Sequence, residues 1–412
     1  MLTIIANVGK LYQVRDKKIE GPLRGDQMKE VPYIENAFIV IEDGKIKDFG
    51  SMAEVPDRAD RFYDAKGGVV MPSFIDSHTH IVYVGSREDE FVMRIMGMSY
   101  EEIAERGGGI LNSARKFRAA SKEQIMEESL RRLDEVIRQG TGAIEIKTGY
   151  GITPEGELKA LEIINEIAEK SPIPVKRTFL GAHALPLEYR NNRKAFIDKL
   201  VNEVIPYVGR NNLADYCDVF CERGFFTPEE ALRILEAGLK FGLKPKVHGN
   251  QLGRTGGVQV AVQVGAVSVD HVEELGEEEL NLLKESSTIP VALPTSSFFL
   301  KKGYSPMRTM IDYGLPLALA SDYNPGTTPT GNMFCVWTLS CLYGGITPQE
   351  AYNAMTINSA FAMELDPGYA TITKGSVANL IVTKPHVKNM EYMPYAFGSD
   401  HIQDVLINGI IY

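Results

Sequence analysis

The sequence predicts an α/β protein, a (β/α)8 barrel of the TIM type carrying a small β-sandwich built from both chain termini. Three observations lead there. From about residue 120, helical segments alternate with short β-branched runs, the pattern of parallel strands joined by helices. Both ends instead offer short strands separated by polar turns. The length of 412 residues suits a large barrel plus a smaller module. The expected division is a composite β-sandwich domain of residues 1–66 and 368–412, with the barrel formed by residues 67–367.

The N-terminal strands are "LTIIANV", "AFIVIEDGKIKDFG" and "RFYDA", with Asp43-Gly44 as a hairpin turn. "GVVMPSFIDSHTH" is read as the first barrel strand. Helix starts follow in legible form: Ser121 with Gln124, Thr227 with Glu230 and Thr347 with Glu350 have capping-box spacing, in which two side chains satisfy each other's orphan amides. Pro228 and Pro348 fall at the first helical position, where a missing amide costs nothing. Ile125, Met126, Leu130, Leu133, Val136 and Ile137 line one face of the first of these helices, and Gly140 can close it. Between helices stand "GAIEIK", "PVKRTFLGAHA", "KPKVHG", "AVSVDH", "TIPVAL" and "LPLALASD", which with the first strand make seven; the eighth is expected between Ile81 and Asn112. At the C-terminal end, "SVANLIV" and "DVLINGIIY" are strands again. Neither end can bury a good core alone, so the two are expected to pair. No tandem repeat or low-complexity segment is visible.

Composition narrows the possible functions. Forty-four basic against fifty-four acidic residues give a net charge of −10, without a long basic run, so nucleic acid is not an expected partner. No apolar segment approaches the roughly 18 residues of a membrane span, and Met1 to Val8 lacks a basic flank and a cleavage site. A soluble, cytoplasmic protein is expected. Cys217, Cys221, Cys335 and Cys341 form no CxxC pair and read as buried thiols; no second pair lies near Cys217 and Cys221 to complete a tetrahedral metal set.

The chain has only seven histidines, and their positions carry the chemistry. In a strand, residues i and i+2 share a face, so His78 and His80 project together at the C-terminal end of the first barrel strand. Alone, such a pair reads equally well as two satisfied polar residues. But His183 in "GAHA", His248 in "KVHGN" and His271 in "VDHVE" recur at strand ends, and Asp322 holds the same position in "LASDYNPG". These are the C-terminal strand ends, where barrels of this type react. His386 and His401 fall in the terminal module and read as surface residues. A divalent ion held by three neutral imidazoles and a carboxylate keeps a net positive charge and lowers the pKa of bound water from about 15.7 to roughly 7. Hydrolysis is the expected chemistry.

"PSFIDSHTH", the strand-end histidines and "LASDYNPGTTPTGNM" resemble the amidohydrolase superfamily, whose members include TIM-type metallo-hydrolase barrels. Within it, "GSREDEF", "AERGGGI", "IKTGYG", "LGAHALP" and "SDYNPG" are similar to the imidazolonepropionase family, and "GSVANLIV" fits the superfamily's accessory sandwich. The resemblance implies that His78, His80, His248 and Asp322 bind one divalent metal ion per subunit, zinc or iron. It also implies that Asp322 accepts the proton of the attacking water while His271 orients that water or polarises the carbonyl. Many relatives bridge two metals with a carboxylated lysine at the end of the fourth strand. By the strand count above, that strand ends at His183 without a lysine, and Lys147, at the preceding strand end, reads as an ordinary polar residue.

The implied reaction is hydrolysis of the ring C–N bond of 4-imidazolone-5-propanoate to N-formimidoyl-L-glutamate in histidine degradation. A propionate arm calls for an arginine fork. The resemblance gives that role to Arg87, which spacing alone would leave as a solvated arginine balanced by Glu88, Asp89 and Glu90. It also sets Tyr150, His183 and Thr327 against the substrate, with Asn324 and Gly326 at the product. Gln251 stands where part of the family has glutamate; it can hydrogen-bond a ring nitrogen but cannot titrate, so its role is binding only. A homodimer is implied too. The rivals are a cyclic-amidine deaminase of the same superfamily and a non-catalytic barrel homologue.

Overall fold

The computed structural model describes residues 1–98, 102–103 and 106–412. The barrel strands are β6 (Phe74–Thr79), β7 (Thr141–Lys147), β8 (Val175–Ala182), β9 (Tyr216–Cys221), β10 (Lys244–Gly249), β11 (Ser268–His271), β12 (Ile289–Ala292) and β13 (Ala318–Leu319). They run parallel, each beside the next in the chain. The seam between first and last is closed by His80 N–H donating to Tyr323 O at 2.8 Å and Asp322 N–H to His78 O at 3.0 Å. Those two bonds bring the pair of histidines and the aspartate onto one rim.

Two strand expectations need correction. The eighth strand does not lie between Ile81 and Asn112: the described residues there form loops and helices, and residues 99–101 and 104–105 lie outside the description. It is β9, "YCDVFC", whose apolar run is interrupted by Asp218, a charge that the barrel interior accommodates by pairing it with Lys147 at 2.8 Å. His183 therefore follows the third strand rather than the fourth. The fourth ends at Cys221 and Glu222, again without a lysine.

"GVVMPSFIDSHTH" proves to be two strands in two sheets. Val69–Pro72 (β5) pairs in parallel with β1 (Leu2–Tyr12) and antiparallel with β14 (Leu380–Thr383), and the chain crosses to the barrel at Ser73. The terminal sheet thus claims residues up to Pro72, past the expected boundary at 66. It contains β2 (Tyr33–Glu42), β3 (Lys45–Ser51), β4 (Arg61–Asp64), β15 (Ile402–Ile407) and β16 (Ile410–Ile411) as well. Asp43 and Gly44 make the β2–β3 hairpin, both at positive φ (49° and 79°), the geometry that favours Asp-Gly there. The sheet rolls so that this hairpin meets the other terminus, with Ala378 N–H donating to Gly44 O at 2.9 Å. Ile5, Val8, Ile39, Val70, Leu380 and Leu406 fill the enclosed core.

The helix signals translate directly. Thr227 with Glu230 and Thr347 with Glu350 form reciprocal boxes, each followed by proline at the first helical position. Ser121 caps the amide of Gln124, but the Gln124 side chain turns to Glu128 instead of completing the box. His386 is exposed as expected, whereas His401 is buried, within 3.1 Å of Ala396 O and packed against Phe334. Cys217 and Cys221 are buried, while Cys335 and Cys341 are only partly so. Among the described residues no helix is long and apolar enough to cross a membrane.

Candidate active site

His78 and His80 lie two residues apart at the end of β6, and both turn into the barrel mouth. His248, at the end of β10, meets them. Their Nε2 atoms converge: His78 to His80 is 3.2 Å, and His248 to His80 is 3.5 Å. Asp322 Oδ1 stands 3.6 Å from His78 Nε2 and 3.8 Å from His80 Nε2. A tetrahedral ion with bonds of ~2.0–2.1 Å places its ligand atoms about 3.3–3.4 Å apart. The four atoms already span nearly that figure, without a hydrogen to share between the imidazole pairs, so the donor set fits a divalent cation.

The opposite nitrogen of each ring explains the orientation. Asp270 Oδ2 lies 2.7 Å from His78 Nδ1, the Thr148 carbonyl 3.1 Å from His80 Nδ1, and Asp218 Oδ2 3.0 Å from His248 Nδ1. The last is an ion-pair contact rather than an aligned hydrogen bond. Oxygens that can only accept favour the proton on Nδ1 of His78 and His80, and the Asp218 carboxylate beside His248 Nδ1 favours the same tautomer there, so each ring turns its Nε2 lone pair inward. Burial, and then the charges of neighbouring groups, hold all three rings well below the ordinary histidine pKa, so they are neutral and able to ligate.

His271 sits beside this set, grouped with His78 and His248 within 4.8 Å. Although burial opposes its charge, Glu273, Asp322 and Asp270 outweigh burial and raise its pKa. A ring inclined to carry a proton suits hydrogen-bond donation better than ligation. Asp322 is held at φ 56°, and burial pushes its carboxyl up to about 6.

The centre floors a cavity of about 450 Å³. His80, His248, His271 and Asp322 line its base, and Arg87, Tyr150, His183, Gln251, Asn324 and Thr327 line its walls. His78 is fully buried beneath them. Arg87 is not the solvated residue that spacing alone suggested: it is 8% exposed, its Nε donates to Glu90 Oε2 at 2.9 Å, and its Nη2 makes an ion-pair contact with the same oxygen at 2.8 Å. Glu90 is fixed in turn by Gly109 N–H and Asn112 Nδ2.

The amidohydrolase family profile matches residues 226–411. An imidazolonepropionase from Flavobacterium johnsoniae is 53% identical over the full length of both chains. One from Caldanaerobacter subterraneus subsp. tengcongensis is 38% identical, covering 98% of this chain and 96% of its own.

The chain belongs to the imidazolonepropionase family.

Among solved structures, a triazine hydrolase variant superposes with a TM-score of 0.75 at 16% identity, covering 100% of this chain and 94% of that one. A guanine deaminase from C. acetobutylicum gives 0.71 at 17%, covering all of both. These likenesses establish the amidohydrolase barrel fold.

In this imidazolonepropionase family member the "DYNPGTTPT" loop is built around Asn324. Its Nδ2 donates to Asp322 O and Thr327 Oγ1, and its Oδ1 accepts from Gly326 N–H and Thr327 N–H, all at 2.6–2.8 Å. That exhausts the amide's donors and acceptor lone pairs, so its visible work is to shape the loop. Thr327 Oγ1 reaches Asp322 Oδ2 at 3.2 Å. Gly326 presses on Arg87: a Cβ there would lie 2.2 Å from Nη1. His183 is fixed by Gly149 O at 2.8 Å and stacks on His80 at 5.6 Å.

Sequence reasoning missed the layer below. Lys147, read as an ordinary polar residue, is fully buried among Glu145, Asp218 and Asp270. The available signal was the presence of charged residues, Glu145, Lys147, Asp218 and Asp270, inside runs that read as barrel strands, all of which prove wholly buried.

Proposed function

We propose that the chain hydrolyses the ring C–N bond of 4-imidazolone-5-propanoate to N-formimidoyl-L-glutamate, the ring-opening step of histidine degradation. Full-length identity to imidazolonepropionases supports the reaction. The structural observation that carries it is the convergence of three inward-facing Nε2 atoms and Asp322 Oδ1 beside a buried arginine in one cavity. His78, His80, His248 and Asp322 would hold one ion, zinc or iron, since both accept imidazole and carboxylate. Once bound, the ion supplies Lewis-acid activation of water and carbonyl.

The protein groups do the rest. Arg87, aligned by Glu90, takes the propionate carboxylate and fixes the ring's position over the floor. Tyr150, His183 and Gln251 surround the ring, and the Gln251 amide can bond a ring nitrogen without exchanging a proton. Asp322, whose Oδ1 faces the same centre as the histidine Nε2 atoms, accepts the proton of the attacking water and returns it to the departing ring nitrogen. His271 donates to the oxyanion that develops at the carbonyl carbon.

The test supplies imidazolone propionate to the purified chain and follows ring absorbance with and without a chelator. Loss of absorbance that stops on chelation and returns with added Zn(II) or Fe(II) is expected. Turnover by protein shown to be metal-free, or ammonia released in the first step as a deaminase would give, would overturn the reading.

A further inference from the structure

Beneath the four donors lies a closed group of five charged side chains, each with no solvent exposure: Glu145 and Lys147 on β7, Asp218 on β9, Lys246 on β10 and Asp270 on β11. Lys147 Nζ is the hub, 2.7 Å from Glu145 Oε1, 2.8 Å from Asp218 Oδ2 and 3.2 Å from Asp270 Oδ2. Glu145 also pairs with Lys246 and accepts from Thr178 Oγ1, and Asp270 Oδ1 accepts from Ser268 Oγ at 2.6 Å. Every carboxylate is thus partnered, as a buried polar network requires.

The connection to the site is atomic. The Asp270 oxygen that meets Lys147 is the same one that meets His78 Nδ1, and the Asp218 oxygen that meets Lys147 also faces His248 Nδ1. These links come from the second, fourth and sixth barrel strands, alternate strands that place side chains in one layer of the interior. We propose that Lys147 is a positioning residue: its ammonium pins Asp218 and Asp270, and through them sets the orientation of two of the three histidines toward a single divalent cation.

Two consequences follow. Two lysines against three carboxylates leave one net negative charge under the floor, which favours a cation above it. And Lys147 cannot serve as a carboxylated, metal-bridging lysine. That modification would replace the cation that touches all three of these carboxylates with an anion.

The inference rests on the metal-centre reading, and its test keeps the two apart. Zn(II) affinity of the full chain is measured by competition with a chromophoric chelator for the parent, Asp270→Asn, Asp218→Asn and Lys147→Met, alongside thermal melts. Tyr352→Phe, which loses a buried 2.8 Å bond to Pro72 O far from the centre, is the control for general destabilisation. The expected result is a loss of about 10- to 100-fold in Zn(II) affinity for both aspartate variants and for Lys147→Met, with cooperative melts retained. Tyr352→Phe should lower Tm and leave affinity unchanged. Should Lys147→Met fail to fold, the aspartate variants decide. Parent-like affinity in a folded Lys147→Met, parent-like affinity in both aspartate variants, or an equal loss in Tyr352→Phe overturns the proposal while leaving the metal centre standing. A parent that binds no Zn(II) or Fe(II) fails the centre itself.

Discussion

Gly326→Ala tests the carboxylate clamp without replacing any charged residue. The added Cβ would lie 2.2 Å from Arg87 Nη1, 2.5 Å from Cζ and 2.9 Å from Nη2, so the guanidinium must retreat by about 1.2 Å to reach the 3.4 Å of ordinary contact. The backbone at Gly326 is outside the left-handed region, so alanine adds no strain and the clash is the whole perturbation. Retreat pulls Arg87 off Glu90, to which it is tied at 2.8 and 2.9 Å. A charge-assisted hydrogen bond contributes roughly 1.5–3 kcal/mol, and a misplacement of about 1 Å at a reacting centre can cost on the order of 100-fold. We expect KM for imidazolone propionate to rise by about 10- to 100-fold, with kcat falling less, measured by ring absorbance on metal-loaded protein. An imidazolone lacking the propionate arm should be processed equally by both proteins. Unchanged KM, or an equal loss with the armless compound, would refute the clamp.

Arg87→Ala should weaken the carboxylate-bearing substrate at least as much; unchanged KM and turnover would remove Arg87 from the site. His248→Ala should lose bound metal and activity together while circular dichroism stays close to the parent's, because it removes one of the converging Nε2 donors; metal content equal to the parent's would contradict it. His183 gives a pH signature. Burial lowers its pKa from 6.5 to about 4, so the unfolded chain takes up this proton at higher pH than the folded one. Its contribution to stability is therefore fully present above 6.5 and lost as pH falls toward 4, by up to about 3 kcal/mol. The difference in urea unfolding free energy between parent and His183→Gln, followed from pH 7 to pH 4, should shrink in the parent's disfavour across that window. A pH-independent difference would show that the ring is not held neutral.

The sequence by itself determined the parts of this protein that depend on local pattern. Alternation of helical and β-branched segments specified the barrel, Asp43-Gly44 specified a hairpin, and Thr227 and Thr347 with their glutamates specified helix starts. The HxH spacing put two imidazoles on one strand face, and strand-end positions gathered His248, His271 and Asp322 with them, because in a parallel barrel all C-terminal ends share one rim. Tertiary structure decided what depends on long-range closure. "GVVMPSFIDSHTH" reads as one apolar run, yet its halves pair with different partners, β1 and β14 on one side and β7 on the other. "YCDVFC" concealed a strand, because its central aspartate is favourable only where Lys147, more than seventy residues earlier in the chain, supplies the opposing charge. The charged layer under the histidines is invisible to any local rule for the same reason. Burying an ion is prohibitive until its partner arrives from another strand, and only the folded barrel brings the two together.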